Sequence, residues 1–290
     1  MSEPQQHFFE SQRLKLNYWT WGDEAKPPLI LVHGGRDHAR MWDFVAERMT
    51  DTYYVLACDL RGHGDSEWSR GSHYGMPENM LDLAALIDLV GGRATVVGHS
   101  FGGGITLMTA GTFPDHFERV VSIEGAGAWA SEQPIEPDEL RKWAEQSRSV
   151  TEGSSRVYPT IETARDRMHE ANPHLTPELA MHLASWGARS VEGGYMWKFD
   201  PWIYARSPLH SLRFSELEAV WADISAPVLH VNGSESHFNR ASVAGRPVES
   251  YFADARAVTI EGAGHWAHHD QLDKTVAVIR SFLGLAPTAQ

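Results

Sequence analysis

Ser100 stands in the pentapeptide Gly98-His99-Ser100-Phe101-Gly102. A hydroxyl is a weak nucleophile near neutral pH. A serine used for covalent chemistry therefore needs a base within hydrogen-bond reach and donors for the oxyanion it creates. The G-x-S-x-G spacing answers the geometric part. Flanking glycines let backbone pass close to a sharp strand-to-helix bend, and the bend lifts the hydroxyl to a helix N-terminus. Alone, the pattern is also what a glycine-rich turn with an incidental serine looks like. Its context is more telling: a β-rich run precedes it and a helix-compatible run follows.

The base candidate is His265, at the end of Glu261-Gly262-Ala263-Gly264-His265. Its rivals among the 16 histidines are weaker. His99 adjoins Ser100 but is expected to point away along its strand. His268 and His269 are expected to be solvated residues opening the last helix. His265, His268, His269 and Asp270 suggest a metal cluster, but no partner set elsewhere completes it, so neither metal nor cofactor is expected. Oxyanion donors are expected from two backbone N–H groups: that of Phe101, and that of Gly35 in His33-Gly34-Gly35-Arg36, with Arg36 as second choice. A purely structural turn is the plain alternative for those glycines.

The elements around these residues read as an alternation. Positions 8–21 alternate apolar and polar, the period of a half-buried strand. Residues 29–32 form a short continuous apolar run, the mark of a strand buried on both faces. A helix is expected over 38–49, a strand over 53–60, and a helix carrying Met80, Leu83, Ala84 and Ile87 that Gly91-Gly92 stops. Next come a strand over 94–97, a helix over 100–113 and a strand over 120–123. Strand signals fade between 126 and 215, where helices are expected over 137–146, 161–171 and 177–188. They return at 227–231 and 257–260, before a last helix carrying Leu272, Val276, Ile279 and Leu283. The expected fold class is α/β: a mainly parallel sheet flanked by helices, with residues 1–125 and 216–290 as the core domain and a helical cap over 126–215.

Composition bounds the rest. The 290 residues are 42% hydrophobic and 22% charged, which disfavours a disordered chain. Asp and Glu number 38 against 25 Lys and Arg, a net charge of −13 that repels phosphate backbones, so nucleic acid is not an expected partner. One cysteine, Cys58, excludes an internal disulfide framework. No apolar run reaches membrane-span length and no secretory leader is visible, so a cytoplasmic protein acting on a small-molecule substrate is expected, its oligomeric state open.

Taken together, four stretches resemble the α/β-hydrolase superfamily: Ser100 in G-x-S-x-G, His33-Gly34-Gly35, Asp59-Leu60-Arg61-Gly62-His63-Gly64-Asp65-Ser66, and Gly262-Ala263-Gly264-His265. Ile123-Glu124-Gly125 and Trp197-Lys198-Phe199-Asp200-Pro201 are similar, more narrowly, to its serine hydrolase-like branch. The resemblance implies a Ser–His–acid triad, and here the chain departs from the commonest pattern. The usual acid position, after the strand at 227–231, holds Ser236, which has no charge to stabilise an imidazolium. Two alternatives remain. Glu124 follows the strand after the nucleophile, where haloalkane dehalogenases also carry their acid. Glu235 adjoins the usual position. Glu124 is favoured, and it keeps the chain order nucleophile, acid, base. The reading is a serine-dependent hydrolase of a small, apolar ester or related acyl bond. The same triad would also suit a carbon–carbon bond hydrolase or a cofactor-free perhydrolase, and the fold could hold a ligand without turnover. Haloalkane and epoxide chemistry is disfavoured because Ser100 stands where those relatives use aspartate. Trp129, Trp143, Trp186, Trp197 and Trp202 either line an apolar pocket or, the plainer reading for most, form the cap's own core. Arg36 could pair with a substrate carboxylate, but the favoured expectation is Asp37 or a nearby acid at the surface.

Overall fold

The computed structural model describes residues 3–71, 73–126, 134–152, 156–205, 207–208, 212–238 and 241–286. The strands are β1 (Gln5–Ser11), β2 (Leu14–Trp21), β3 (Pro28–Val32), β4 (Tyr54–Cys58), β5 (Ala94–His99), β6 (Phe117–Ile123), β7 (Ala188–Val191), β8 (Gly194–Trp197), β9 (Val228–Gly233), β10 (Ser242–Val243), β11 (Arg246–Pro247) and β12 (Ala255–Ile260). The helices are α1 (Asp43–Glu47), α2 (Met76–Leu89), α3 (Phe101–Thr112), α4 (Pro137–Glu152), α5 (Ile161–Ala171), α6 (Pro177–Gly187), α7 (Phe214–Ala222), α8 (Ala267–Asp270) and α9 (Leu272–Phe282).

Eight strands make one sheet, in the order β1-β2-β4-β3-β5-β6-β9-β12. The β1–β2 and β2–β4 pairings are antiparallel and the rest are parallel. Parallel strands need covered faces, and the side-chain alternation supplies them. Leu29 and Leu31 of β3 enter one core with Trp42, Val45, Val276 and Ile279, whereas Ile30 and Val32 enter the other with Leu83, Ile87, Ile105 and Trp221. Each such buried side chain contributes roughly 1.5–3 kcal/mol.

Three expectations change in detail. The alternating run at 8–21 is a hairpin, not one strand: Gln12 and Arg13, both at positive φ, make the two-residue turn between β1 and β2. The helix expected over 38–49 is a 3-10 turn, Ala39–Trp42, followed by the short α1, with Arg40 clamping the Asp43 carboxylate at their joint. The stretch between β6 and β9 carries the expected helices α4, α5 and α6 but also the β7–β8 hairpin, closed by Glu192 and Gly193.

The topology places the C-terminal ends of β3, β5, β6, β9 and β12, neighbours in the sheet, along one edge. The residues that follow those strands are His33, Ser100, Glu124, Ser234 and Glu261, the last leading to His265. Ligand sites of open α/β sheets form along such an edge.

Candidate active site

Ser100 joins β5 to α3 with φ 51 and ψ −116, a left-handed conformation that costs a non-glycine residue about 1–3 kcal/mol. Its N–H donates to Ile123 O at 2.8 Å, so the bend is pinned to the neighbouring strand. The two glycines of the motif are required by space. A β-carbon at Gly98 would lie 2.4 Å from Gly102 O, and one at Gly102 would lie 2.4 Å from both Val32 O and His33 O.

Ser100 Oγ lies 3.0 Å from His265 Nε2, and His265 Nδ1 lies 3.4 Å from Glu124 Oε2. Glu124 is buried, at φ 56, with its N–H donating to Val231 O at 2.9 Å. A buried carboxylate needs partners, and this one has them. Oε1 accepts from the Gly233 N–H at 2.7 Å, and Oε2 accepts from the Ser236 hydroxyl at 2.8 Å. The Ser236 oxygen accepts in turn from the Phe238 N–H at 3.1 Å. Glu235 is turned elsewhere: its carboxylate is half exposed and lies 3.6 Å from His174 Nε2. The structure thus brings Glu124, and not Glu235, to His265.

The turn after β3 is held from below. His33 is buried, and its ring donates from Nδ1 to Gly34 O at 2.6 Å while Nε2 accepts from the Leu60 N–H at 3.0 Å. That pairing fixes the neutral tautomer, and burial pushes its pKa well below the ordinary histidine value. Gly34 approaches Ser100 so closely that a β-carbon there would lie 3.2 Å from Ser100 Cβ. Gly35 and Phe101 line a small cavity with Arg61, His63, Tyr74, Asn79 and Ile203. Arg36, at φ 72, is exposed, and its guanidinium lies over the Tyr204 ring at 5.8 Å. The partly buried Asp37 accepts from Trp266 Nε1 at 3.2 Å, so this turn is tied to the residue after His265. Arg36 is only an electrostatic neighbour of Asp37.

Burial raises the Asp37 carboxyl to about 6, opposed by the Trp266 hydrogen bond, Arg36 and His265. The folded protein therefore holds this proton more tightly than the unfolded chain, whose carboxyl titrates near 3.8. The stability so gained is complete below the unfolded value and is lost as pH rises through about 6. Asp37→Asn keeps an acceptor for Trp266. It is expected to raise Tm by a few degrees at about pH 8 and at most marginally at about pH 4, as thermal melts at the two pH values will read.

Several contributors were not legible in the sequence. His99 does not point away: its Nε2 donates to His265 O at 2.9 Å. Asp270 accepts from the Gly264 N–H at 2.8 Å and from Asn172 Nδ2 at 3.1 Å, strapping the His265 loop to the end of α5. His268 is not solvated but buried, stacked on Trp42 at 4.5 Å between ring centroids, and α8 is a separate turn before α9. Phe238, 44% exposed, lies 4.7 Å from the His265 ring. Only the departure at Ser236 marked that loop as unusual.

The Trp197–Pro201 stretch fastens the segment between β6 and β9 to the core. Tyr74 Oη donates to Asp200, the Asp200 N–H donates to Gly62 O at 2.7 Å, and Trp68 Nε1 donates to Lys198 O at 3.0 Å. Trp143 donates to Ala205 O and Trp197 to the Tyr158 hydroxyl, while Trp186 packs edge-on against Trp19 under Arg40. Trp143 and Trp197 thus bond within the segment, whereas Trp186 reaches across to Trp19 of β2 rather than into a core of the segment's own. Trp129 lies outside the described residues. Among the described residues, no group of three His, Cys, Asp or Glu could hold a metal ion, and no helix is long and apolar enough to cross a membrane.

Comparison with known proteins agrees with this architecture. Residues 29–278 match the model of the alpha/beta hydrolase family. A serine hydrolase-like protein of Danio rerio is 25% identical over 274 residues, covering 91% of this chain and 83% of its own. An esterase of Mycobacterium tuberculosis is 27% identical over 278 residues, covering 91% and 84%. Among solved structures, the thioesterase domain from the curacin biosynthetic pathway has a TM-score of 0.83 at 22% identity, across 96% of this chain and 99% of that one. With the family match running through most of its length, the chain belongs to the alpha/beta hydrolase family.

Proposed function

We propose that this hydrolase is serine-dependent and cleaves a small, apolar carboxylic ester or related acyl bond through an acyl-enzyme. His265 Nε2 takes the Ser100 proton as Oγ attacks the carbonyl carbon. The backbone N–H groups of Gly35 and Phe101 receive the oxyanion. Glu124 holds the His265 tautomer that keeps Nε2 free to accept, and steadies the imidazolium that forms. His265 returns the proton to the leaving alcohol, then takes one from water as that water attacks the acyl-enzyme. The carboxylic acid leaves and Ser100 is regenerated. These steps need no metal or cofactor.

The observation that carries this reading is the series Ser100 Oγ, His265 and Glu124, linked at 3.0 Å and 3.4 Å on one sheet edge. The segment over 126–215 would serve as a cap, with Tyr204 and Phe238 as exposed aromatics near an apolar acyl group and Arg36 as the cation beside Tyr204. The experiment is labelling with a fluorophosphonate probe, peptide mapping of the adduct, and a panel of p-nitrophenyl esters of rising acyl length. A single adduct on Ser100 and a preference among the esters are expected. Labelling at another residue, or none together with no turnover of any ester, overturns the reading.

A further inference from the structure

We infer that His99 is a positioning residue that sets the base and the oxyanion turn against each other from beneath Ser100. The inference rests on the serine-hydrolase reading above. His265 arrives from β12, and two strands, β6 and β9, separate β12 from β5. At about 4.8 Å per strand, its loop must arch back across roughly 14 Å of sheet to meet Ser100. Asp270 holds that loop at Gly264 and Asp37 holds it at Trp266; His99 holds it between them, at His265 itself. His99 is the last residue of β5, paired in register with Ile123, and the next residue is the nucleophile. Its Nε2 donates to the backbone carbonyl of His265 at 2.9 Å. Ser100 and the His265 main chain are thus referenced to one rigid residue.

The other side of the same ring faces the oxyanion turn. His99 Nδ1 abuts Gly34 so tightly that a β-carbon there would lie 2.9 Å from it. Donation to a carbonyl demands Nε2–H, so Nδ1 carries the lone pair, and among the described residues it has no hydrogen-bond partner. The ring is 1% exposed and wedged between His265, at 4.8 Å between centroids, and His268, at 4.6 Å, with Trp266 beyond at 6.1 Å. Burial first, then the neighbouring His265, holds its pKa well below the usual value, so no second positive charge opposes the imidazolium on His265.

The test compares His99→Leu, which fills the space without a donor, with His99→Gln, whose amide nitrogen can replace the Nε2 donor. Turnover of p-nitrophenyl acetate, the rate of fluorophosphonate labelling and Tm are measured on each. His99→Leu is expected to lower kcat about 30–100-fold with KM within about threefold, and to slow labelling in parallel. His99→Gln should return kcat to within about fivefold of wild type. Equal impairment of the two variants, or full kcat in His99→Leu, overturns the inference. Ser100→Ala run beside them separates the two levels: activity retained there sinks the serine reading, whereas a dead Ser100→Ala beside an unimpaired His99→Leu sinks only the role of His99. Nitrogen-15 NMR of the wild-type imidazoles gives a readout that does not depend on variant folding. A neutral Nε2–H tautomer is expected for His99 throughout the active pH range, and an Nδ1–H or protonated ring would contradict it.

Discussion

Ser100→Ala is expected to lower kcat by at least about 10⁴-fold on any ester the wild type turns over, with binding of a non-hydrolysable analogue unchanged. The magnitude follows from what is lost. In the proposed mechanism the hydroxyl oxygen forms the covalent intermediate, and its removal leaves only oxyanion donors and binding, which by themselves give modest catalysis. The fold should not suffer, because the N–H of residue 100 still reaches Ile123 O. Ser100→Gly should be equally inactive but more stable. At φ 51 and ψ −116 a glycine sits at little cost where the serine is strained, and release of about 1–3 kcal/mol should raise Tm by several degrees. Steady-state kinetics and thermal melts on the two variants check both halves. A Ser100→Ala enzyme within tenfold of wild type would end the covalent mechanism.

Glu124→Gln is expected to cost about 10³–10⁴-fold in kcat, while Glu235→Gln stays within about twofold. The glutamine keeps the volume but not the charge, and its amide can turn a donor toward His265 Nδ1, which favours the tautomer that cannot accept from serine. It also disturbs a carboxylate that accepts from Gly233 N–H and Ser236 Oγ. Glu235, half exposed beside His174, touches neither Ser100 nor His265. The comparison is made by kcat and KM on the preferred ester, with circular dichroism to confirm folding. Loss in Glu235→Gln alone would transfer the acid's role to that residue.

The parts of the site that lie at strand ends were legible because their signals are local. β-rich runs before Ser100 and His265, glycines at 34, 98, 102 and 264, and the length of each run were enough to put the proposed nucleophile, base and oxyanion turn on one edge. The Glu124 contact was legible only as a choice, because a carboxylate's partner across two strands is fixed by sheet order, which no local pattern encodes. His99 was misjudged for a related reason. Strand alternation predicts where a side chain starts, but β5 ends at that residue and the ring meets a loop that folds over from β12. His268 looked solvated because a histidine pair at a helix start usually is, yet α8 turns it under onto Trp42. The β7–β8 hairpin did carry a cue, the glycine of Glu192-Gly193, but its mixed polar strands gave no clear period of two.

The hydroxyl of Ser236 touches the Glu124 carboxylate at 2.8 Å, although the two residues are separated by 112 positions along the chain. Side chains from the ends of β6 and β9 therefore converge on a single point beside His265. What the architecture reserves is a spot in space for one negative charge, not a place in the chain. A descendant could hand that charge from one strand to its neighbour with little change to the imidazole's surroundings, so relatives built on the same frame can differ in which stretch of sequence supplies it.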